Sequence, residues 1–181
     1  LARGNAKYAE WIAWQADRLA RAGGDVQVGR TATAEEVLAA SVDLVAIATG
    51  ATPRIPPIPG VDAPNVHTAA AALGGEVTVG RRVAVIAEDD GPAQFSVTDH
   101  LAGLGHEVTL IYQTAGPAPL VGKYSNGGML ARLIDGGVQF VPMARVIEIA
   151  GDVPLALQLA SSYGNRRWTL DGIDSVVLVA G

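Results

Sequence analysis

Apolar positions along this chain recur at helical spacing in some stretches and fill continuous short runs in others. Tyr8, Ile12, Gln15 or Ala16, and Leu19 share one face and predict a helix over residues 5–22, ended by Gly23-Gly24. Trp11 and Trp14 widen that stripe and read as packing residues. DVQVG predicts a short strand at residues 25–28. In TATAEEVLAA, Thr33 and Glu36 have the spacing of a capping box at the start of a short helix. VDLVAIATG (42–50) is apolar without alternation, as in a parallel strand buried on both faces.

Residues 51–64, ATPRIPPIPGVDAP, hold five prolines. Each fixes φ and removes a donor, and Ile55, Ile58 and Val61 are interleaved to pack, so a stiff connector is expected. HTAAAALGGEVTVG suggests a short helix and a loop, with a domain boundary near Gly80. The expected organisation is therefore a partial first domain with its proline-rich linker at 1–79 and a second domain at 80–181. In the second, a strand at 83–87, a helix at 92–104 and a strand at 107–112 form a βαβ unit. A Gly/Pro-rich loop (114–122) leads to a helix around 129–134 and a strand at 137–142. Residues 145–170 alternate strand runs with turn residues and predict an antiparallel meander. DSVVLVA (174–180) is again a buried-type strand.

Composition narrows the function classes. Hydrophobic residues make up 49% and charged residues 17%, enough for a sizeable core, with a surface that is either economical or partly covered by something else. The net charge of −5 offers no footprint for nucleic acid. No apolar run approaches the roughly 20 residues of a membrane span, and residues 1–11 lack the apolar stretch of a signal peptide. The chain has no cysteine, which removes disulfides, a thiol nucleophile and iron–sulfur ligands from it. A reducing cytosol is compatible, and a cytoplasmic location is the expectation. His67, His100 and His106 are scattered, without metal-ligand spacing. No catalytic triad or paired carboxylates stand out.

Two stretches carry candidate chemistry. Thr49-Gly50 ends a predicted parallel strand, where a small residue followed by glycine lets a ligand approach the backbone. Residues 82–97, RVAVIAEDDGPAQFSV, have the outline of a dinucleotide-binding start: a β-branched run, a turn and a helix. Such turns use glycines so that backbone N–H groups and the helix dipole meet a pyrophosphate. Here the turn is Glu88-Asp89-Asp90-Gly91-Pro92. Pro92 removes a donor, and three carboxylates stand where phosphate oxygens would go. Two unit charges ~4 Å apart repel by roughly 1–4 kcal/mol at surface dielectrics, against a dipole attraction of about 0.3–1 kcal/mol. The expectation is a fold that keeps its shape and has lost NAD(P)H binding, with Asp90 as the N-cap. Tyr112-Gln113, at the end of the next strand, supplies no acid for ribose hydroxyls. Arg54 reads as a solvated linker charge, with a phosphate or a partner domain as the alternative. Arg81-Arg82 flanks a strand start.

The ordered combination of VAIATGATPRIPPIPG (45–60), RVAVIAEDDGPAQFSVTDHLAGLGHEVTLIY (82–112) and DSVVLVAG (174–181) carries a resemblance. It is similar to the trimethylamine dehydrogenase and 2,4-dienoyl-CoA reductase family of NADH:flavin oxidoreductases, which are old-yellow-enzyme-like. LAGLGHEVTLIY looks most like the amine dehydrogenases of that family. The resemblance implies an α/β, two-dinucleotide-binding-domain flavoprotein fold. It is Rossmann-like, with a parallel sheet, an antiparallel β-meander and an incomplete first domain. It implies FAD or ADP at the first nucleotide fold, close to Ala48, Thr49 and Gly50, with backbone at Ala32 touching adenine. An N-terminal TIM barrel carrying FMN and a 4Fe–4S cluster would lie outside this chain, which alone would be inactive. NAD(P) at the second fold is doubtful, because the reductases have glycines where this chain has acids. The expected partners are that barrel and an electron-transfer flavoprotein, and a homo-oligomer is compatible. The alternatives are a 2,4-dienoyl-CoA or enoate reductase fragment and a noncatalytic docking domain. Trp11 and Trp14 have a flavin platform as their alternative role.

Overall fold

The computed structural model describes residues 6–180. The chain divides into two compact units, residues 7–52 and residues from Pro53 onward. The smaller unit has two helices, α1 (Ala6–Arg21) and α2 (Ala34–Ala39). The predicted capping box starts α2: Glu36 N–H donates to Thr33 Oγ1 (3.3 Å) and Thr33 N–H to Glu36 Oε2 (3.0 Å). Arg18 lies over the Trp14 ring at 4.9 Å, and Arg21 pairs with Asp17 one turn away.

Two expectations for this unit are corrected. The strands predicted at 25–28 and 42–48 do not form, and Val28, Leu44 and Ile47 are more than four-fifths exposed. An apolar run becomes a strand only when a neighbour supplies the other half of its hydrogen-bond ladder, and among the described residues none pairs with either run. Trp11 and Trp14 do not pack into a core: both are exposed, and Trp14 instead carries the Arg18 guanidinium over its ring.

The larger unit runs β1 (Val66–Thr68), α3 (Ala69–Gly74), β2 (Arg82–Ala87), α4 (Ala93–Gly103), β3 (Glu107–Tyr112), α5 (Lys123–Asp135), β4 (Gln139–Val141), β5 (Ala144–Ala150), β6 (Leu155–Ser161), β7 (Arg167–Ile173) and β8 (Ser175–Val179). Strands β1, β8, β2, β3 and β4, in that order, make a parallel sheet, and β5–β6–β7 make the antiparallel meander. The predicted βαβ unit and meander are therefore present, and the fold is α/β and Rossmann-like. β1 was not expected. Its three residues, one a histidine, carry almost no strand pattern of their own and are ordered by pairing with Val176–Leu178.

Alternation along the central strands builds three layers. Val83, Val85 and Ala87 of β2 face α4 and α5, joining Val108, Leu110, Phe95, Leu101 and Leu133. Ala84 and Ile86 point the other way and pack with Ile111, Val176 and Leu178 against the meander, which contributes Val146, Leu157 and Leu159. A strand buried on both faces needs the unbroken apolar run that β2 and β8 have. Each fully buried Val, Leu or Ile contributes roughly 1.5–3 kcal/mol, so this sandwich holds the carboxyl ends of β2, β3 and β8 in place.

The linker is seated on the meander. Ile149 N–H donates to Pro59 O at 2.8 Å. Gly60 follows with φ of +82°, and a Cβ there would stand 1.9 Å from the Ile149 carbonyl oxygen. Only glycine meets both demands.

Candidate functional site

In an open parallel sheet, ligands bind outside the carboxyl ends of the strands, where connections diverge to either side. Here β2 leads through α4 to β3 on one side, while β8 lies on the other. The turn after β2 is pinned at that point: Glu88 N–H donates to Val179 O at 2.8 Å. Asp89 Oδ1 accepts from Gly91 N–H at 2.7 Å, and Gln94 Nε2 donates to Asp89 O at 2.9 Å. Leu120 N–H donates to Asp90 O at 3.1 Å.

Asp90 is thus not the N-cap. Pro92 occupies that position and makes no side-chain cap bond. The carboxylate that bonds the turn is Asp89, two residues before its donor, as an Asx turn requires. It takes the Gly91 N–H, one of the donors an incoming phosphate would need at this helix entrance.

A cleft of about 350 Å³ opens beside the turn, lined by Glu88, Asp90, Gln113, Thr114, Ser162 and Tyr163. Gln113 Nε2 donates to Glu88 Oε2 at 3.3 Å. Burial pushes the Glu88 carboxyl above its ordinary range, opposed by the charge of Arg54 and the Gln113 hydrogen bond. Ser162 and Tyr163 come from the β6–β7 turn, far along the chain from Gln113, and no local pattern announced them. The cleft is rich in acceptors and carries acids on its wall, which suits hydrogen-bond donors and opposes anions.

The residues singled out in the smaller unit lie outside regular elements and are exposed. Ala32 immediately precedes the capping box of α2. Ala48, Thr49 and Gly50 follow one another at the end of the apolar run. Gly50 has φ of +77°, and an added Cβ would meet nothing within 4 Å. The backbone at this glycine is left-handed and approachable, as a close nucleotide contact requires. Arg30 pairs with Glu36, and that carboxyl is held below its usual range first by the Thr33 backbone and then by Arg30.

A parallel sheet with helices on one face and a meander on the other, and a helix entrance at its divergence point, is the arrangement of a dinucleotide-binding domain. The chain belongs to the pyridine nucleotide-disulphide oxidoreductase family, whose pattern matches residues 12–181. It is a flavin- or pyridine-nucleotide-binding domain of that family. It is 34% identical over 110 residues to NADH oxidase of Thermoanaerobacter brockii, covering 60% of this chain and 17% of that protein. Its fold is similar to 2-naphthoyl-CoA reductase, with a TM-score of 0.87 at 22% identity over 99% of this chain and 26% of that one. It is similarly close to histamine dehydrogenase from Rhizobium sp. 4-9, with a TM-score of 0.85 at 21% identity over all of this chain and 29% of that one. The chain thus spans well under a third of each protein compared. Among the described residues, no helix is long and apolar enough to cross a membrane.

Proposed function

We propose that this chain is the nucleotide-holding portion of a flavin-dependent oxidoreductase of the amine dehydrogenase or demethylase type. Its first nucleotide fold holds FAD or ADP, with Ala48, Thr49 and Gly50 near the pyrophosphate or ribose and Ala32 near adenine. Its second fold, entered at residues 88–92, takes no NAD(P)H. The observation that carries the reading is the Asp89 Oδ1 contact with Gly91 N–H. An internal carboxylate already occupies the donor, and Glu88 and Asp90 add charge of the wrong sign beside it. The approachable backbone at Gly50 supports the assignment of the cofactor to the first fold.

The complete protein would carry FMN and a 4Fe–4S cluster in a barrel domain, which would supply the redox chemistry. This portion would hold the adenine nucleotide and brace that barrel, and an electron-transfer flavoprotein would take the electrons. A homo-oligomer fits the same scheme. The resemblance of the resident chain to NADH oxidase supports a second reading, an NADH-using reductase or oxidase acting on an enoyl-type acceptor. Calorimetric titration of the full-length protein with NADH, after identifying any adenine nucleotide released on denaturation, separates the two. Released FAD or ADP with no NADH heat supports the first, and saturable micromolar NADH binding supports the second.

A further inference from the structure

The two apolar runs that find no ladder in the smaller unit have counterparts in the larger one. Residues 42–50, VDLVAIATG, and 173–181, IDSVVLVAG, are identical at three of nine positions and apolar in both at four more. The identities are Asp43 with Asp174, Val45 with Val176 and Gly50 with Gly181. Ahead of each run, a helix carrying Arg-Leu (Arg18-Leu19 in α1, Arg132-Leu133 in α5) is followed by a Gly-Gly pair. Val-Gln and an apolar residue come next, Val26-Gln27-Val28 in one case and Val138-Gln139-Phe140 in the other. The smaller unit therefore repeats the part of the larger one that runs from α5 through β4 to β8.

In the larger unit β4 and β8 are not neighbours, because β2 and β3 stand between them. Val176–Val179 pair with Ala84–Ala87, and Gln139–Val141 pair with Thr109–Ile111. Carried across the repeat, residues 44–48 need one strand beside them and residues 27–29 another, and among the described residues neither has one. The consequence is visible in burial: Leu178 is 4% exposed and its counterpart Ile47 84%. The amino end shows the same vacancy of partners. Asp174 accepts the Arg82 backbone N–H at 2.9 Å and its guanidinium at 2.7 Å. Its counterpart Asp43 is exposed and, among the described residues, pairs with no cation. Unpaired apolar strand edges of this kind are normally covered. This chain spans well under a third of the proteins it is similar to, so further polypeptide is at hand to cover them.

We propose that residues 27–29 and 44–48 flank a second parallel sheet, and that a strand–turn–helix–strand segment of about 30 residues, elsewhere in the same polypeptide, docks between them. Its first strand lies along 44–48, is apolar without alternation, and opens with a basic residue against Asp43. Its second strand lies along 27–29. The turn after the first strand bonds Ala48 O, the counterpart of the Val179 O that takes Glu88 N–H at 2.8 Å. The proposal deepens the reading of a first nucleotide fold by naming what completes it, and it holds whichever nucleotide is bound.

The test is amide hydrogen exchange, read by mass spectrometry, on the full-length protein. Amides within 44–48 should exchange at least ~1000-fold more slowly than unprotected ones, like those of β8, because a core ladder opens only with the fold. Ile47→Glu, which charges a side chain exposed in this structure, should speed exchange across 44–48 by roughly tenfold or more. Exchange within about tenfold of unprotected rates at 44–48, while β8 stays protected, overturns the proposal. Protection that is lost on dilution as the protein dissociates also overturns it, since a second copy then covers the run. The unaltered protein decides the matter even if the variant fails to fold. The same measurement on protein that releases no adenine nucleotide still reads the sheet, so failure of the nucleotide assignment and failure of this proposal are seen separately.

Discussion

Replacing Asp89 with glycine and Glu88 with glutamine should open the second helix entrance to a pyridine nucleotide. Asp89→Gly frees the Gly91 N–H that its Oδ1 now holds at 2.7 Å, and restores a glycine where a pyrophosphate needs the backbone. Glu88→Gln removes the half-buried carboxylate on the cleft wall while leaving an amide to meet Gln113. Each removed charge relieves roughly 1–4 kcal/mol of repulsion toward a phosphate ~4 Å away. Pro92 and Asp90 remain, so the lower end of that range is the safer expectation. About 2 kcal/mol for the pair corresponds to roughly a thirtyfold tighter Kd. The assay is isothermal calorimetry with NADH on the full-length protein, in low salt so that screening does not hide the change. The reasoning is refuted if the double variant binds NADH no better than the parent while both are folded. It is refuted equally if the parent already binds with micromolar affinity.

Gly60→Ala should lower stability by about 3 kcal/mol or more. The substitution combines a left-handed backbone with a Cβ 1.9 Å from a carbonyl oxygen, and relief requires breaking the Ile149–Pro59 hydrogen bond. Urea unfolding of the larger unit checks it, and a loss below 1 kcal/mol would mean the linker is not seated on the meander as described. Asp174→Asn should lower Tm at pH 7. The Arg82 side chain and backbone N–H hold that carboxyl below its ordinary 3.8, so its contribution is present above that value and lost as pH falls through the depressed one. The gap in Tm between parent and variant should therefore close in acid. Glu88→Gln alone should show the opposite trend. Burial raises the folded pKa of Glu88 above 4.5, so its ionisation weighs against the fold as pH rises, and the variant should gain at neutral pH but not below 4.5. Thermal melts across pH 3–8 test both.

What the sequence made legible were the elements whose instructions are local. The β2–α4–β3 unit announces itself through a β-branched run, a proline near the helix start and a glycine at its end, all within about 30 residues. The meander is marked by alternation and turn residues, and the capping box of α2 by a spacing of three. Features that depend on distant partners were not legible. The runs at 25–28 and 42–48 have strand composition but find no ladder, whereas Val66–Thr68 lacks the pattern and becomes a strand because β8 lies beside it. Either aspartate of the turn could have capped it by composition. The backbone path chooses Asp89 because only its carboxylate reaches Gly91 N–H. The cleft was half visible: Glu88, Asp90 and Gln113 follow their strands, but Ser162 and Tyr163 arrive from a hairpin about 50 residues further on.

The division of labour between the two nucleotide folds is tested most directly by measuring what the full-length protein binds as isolated and what it then accepts. The account predicts one adenine nucleotide, FAD or ADP, released per chain on denaturation, and no saturable heat on titration with NADH. A protein that releases no adenine nucleotide and binds NADH at micromolar concentration, with Asp89→Gly leaving that affinity unchanged, would contradict it.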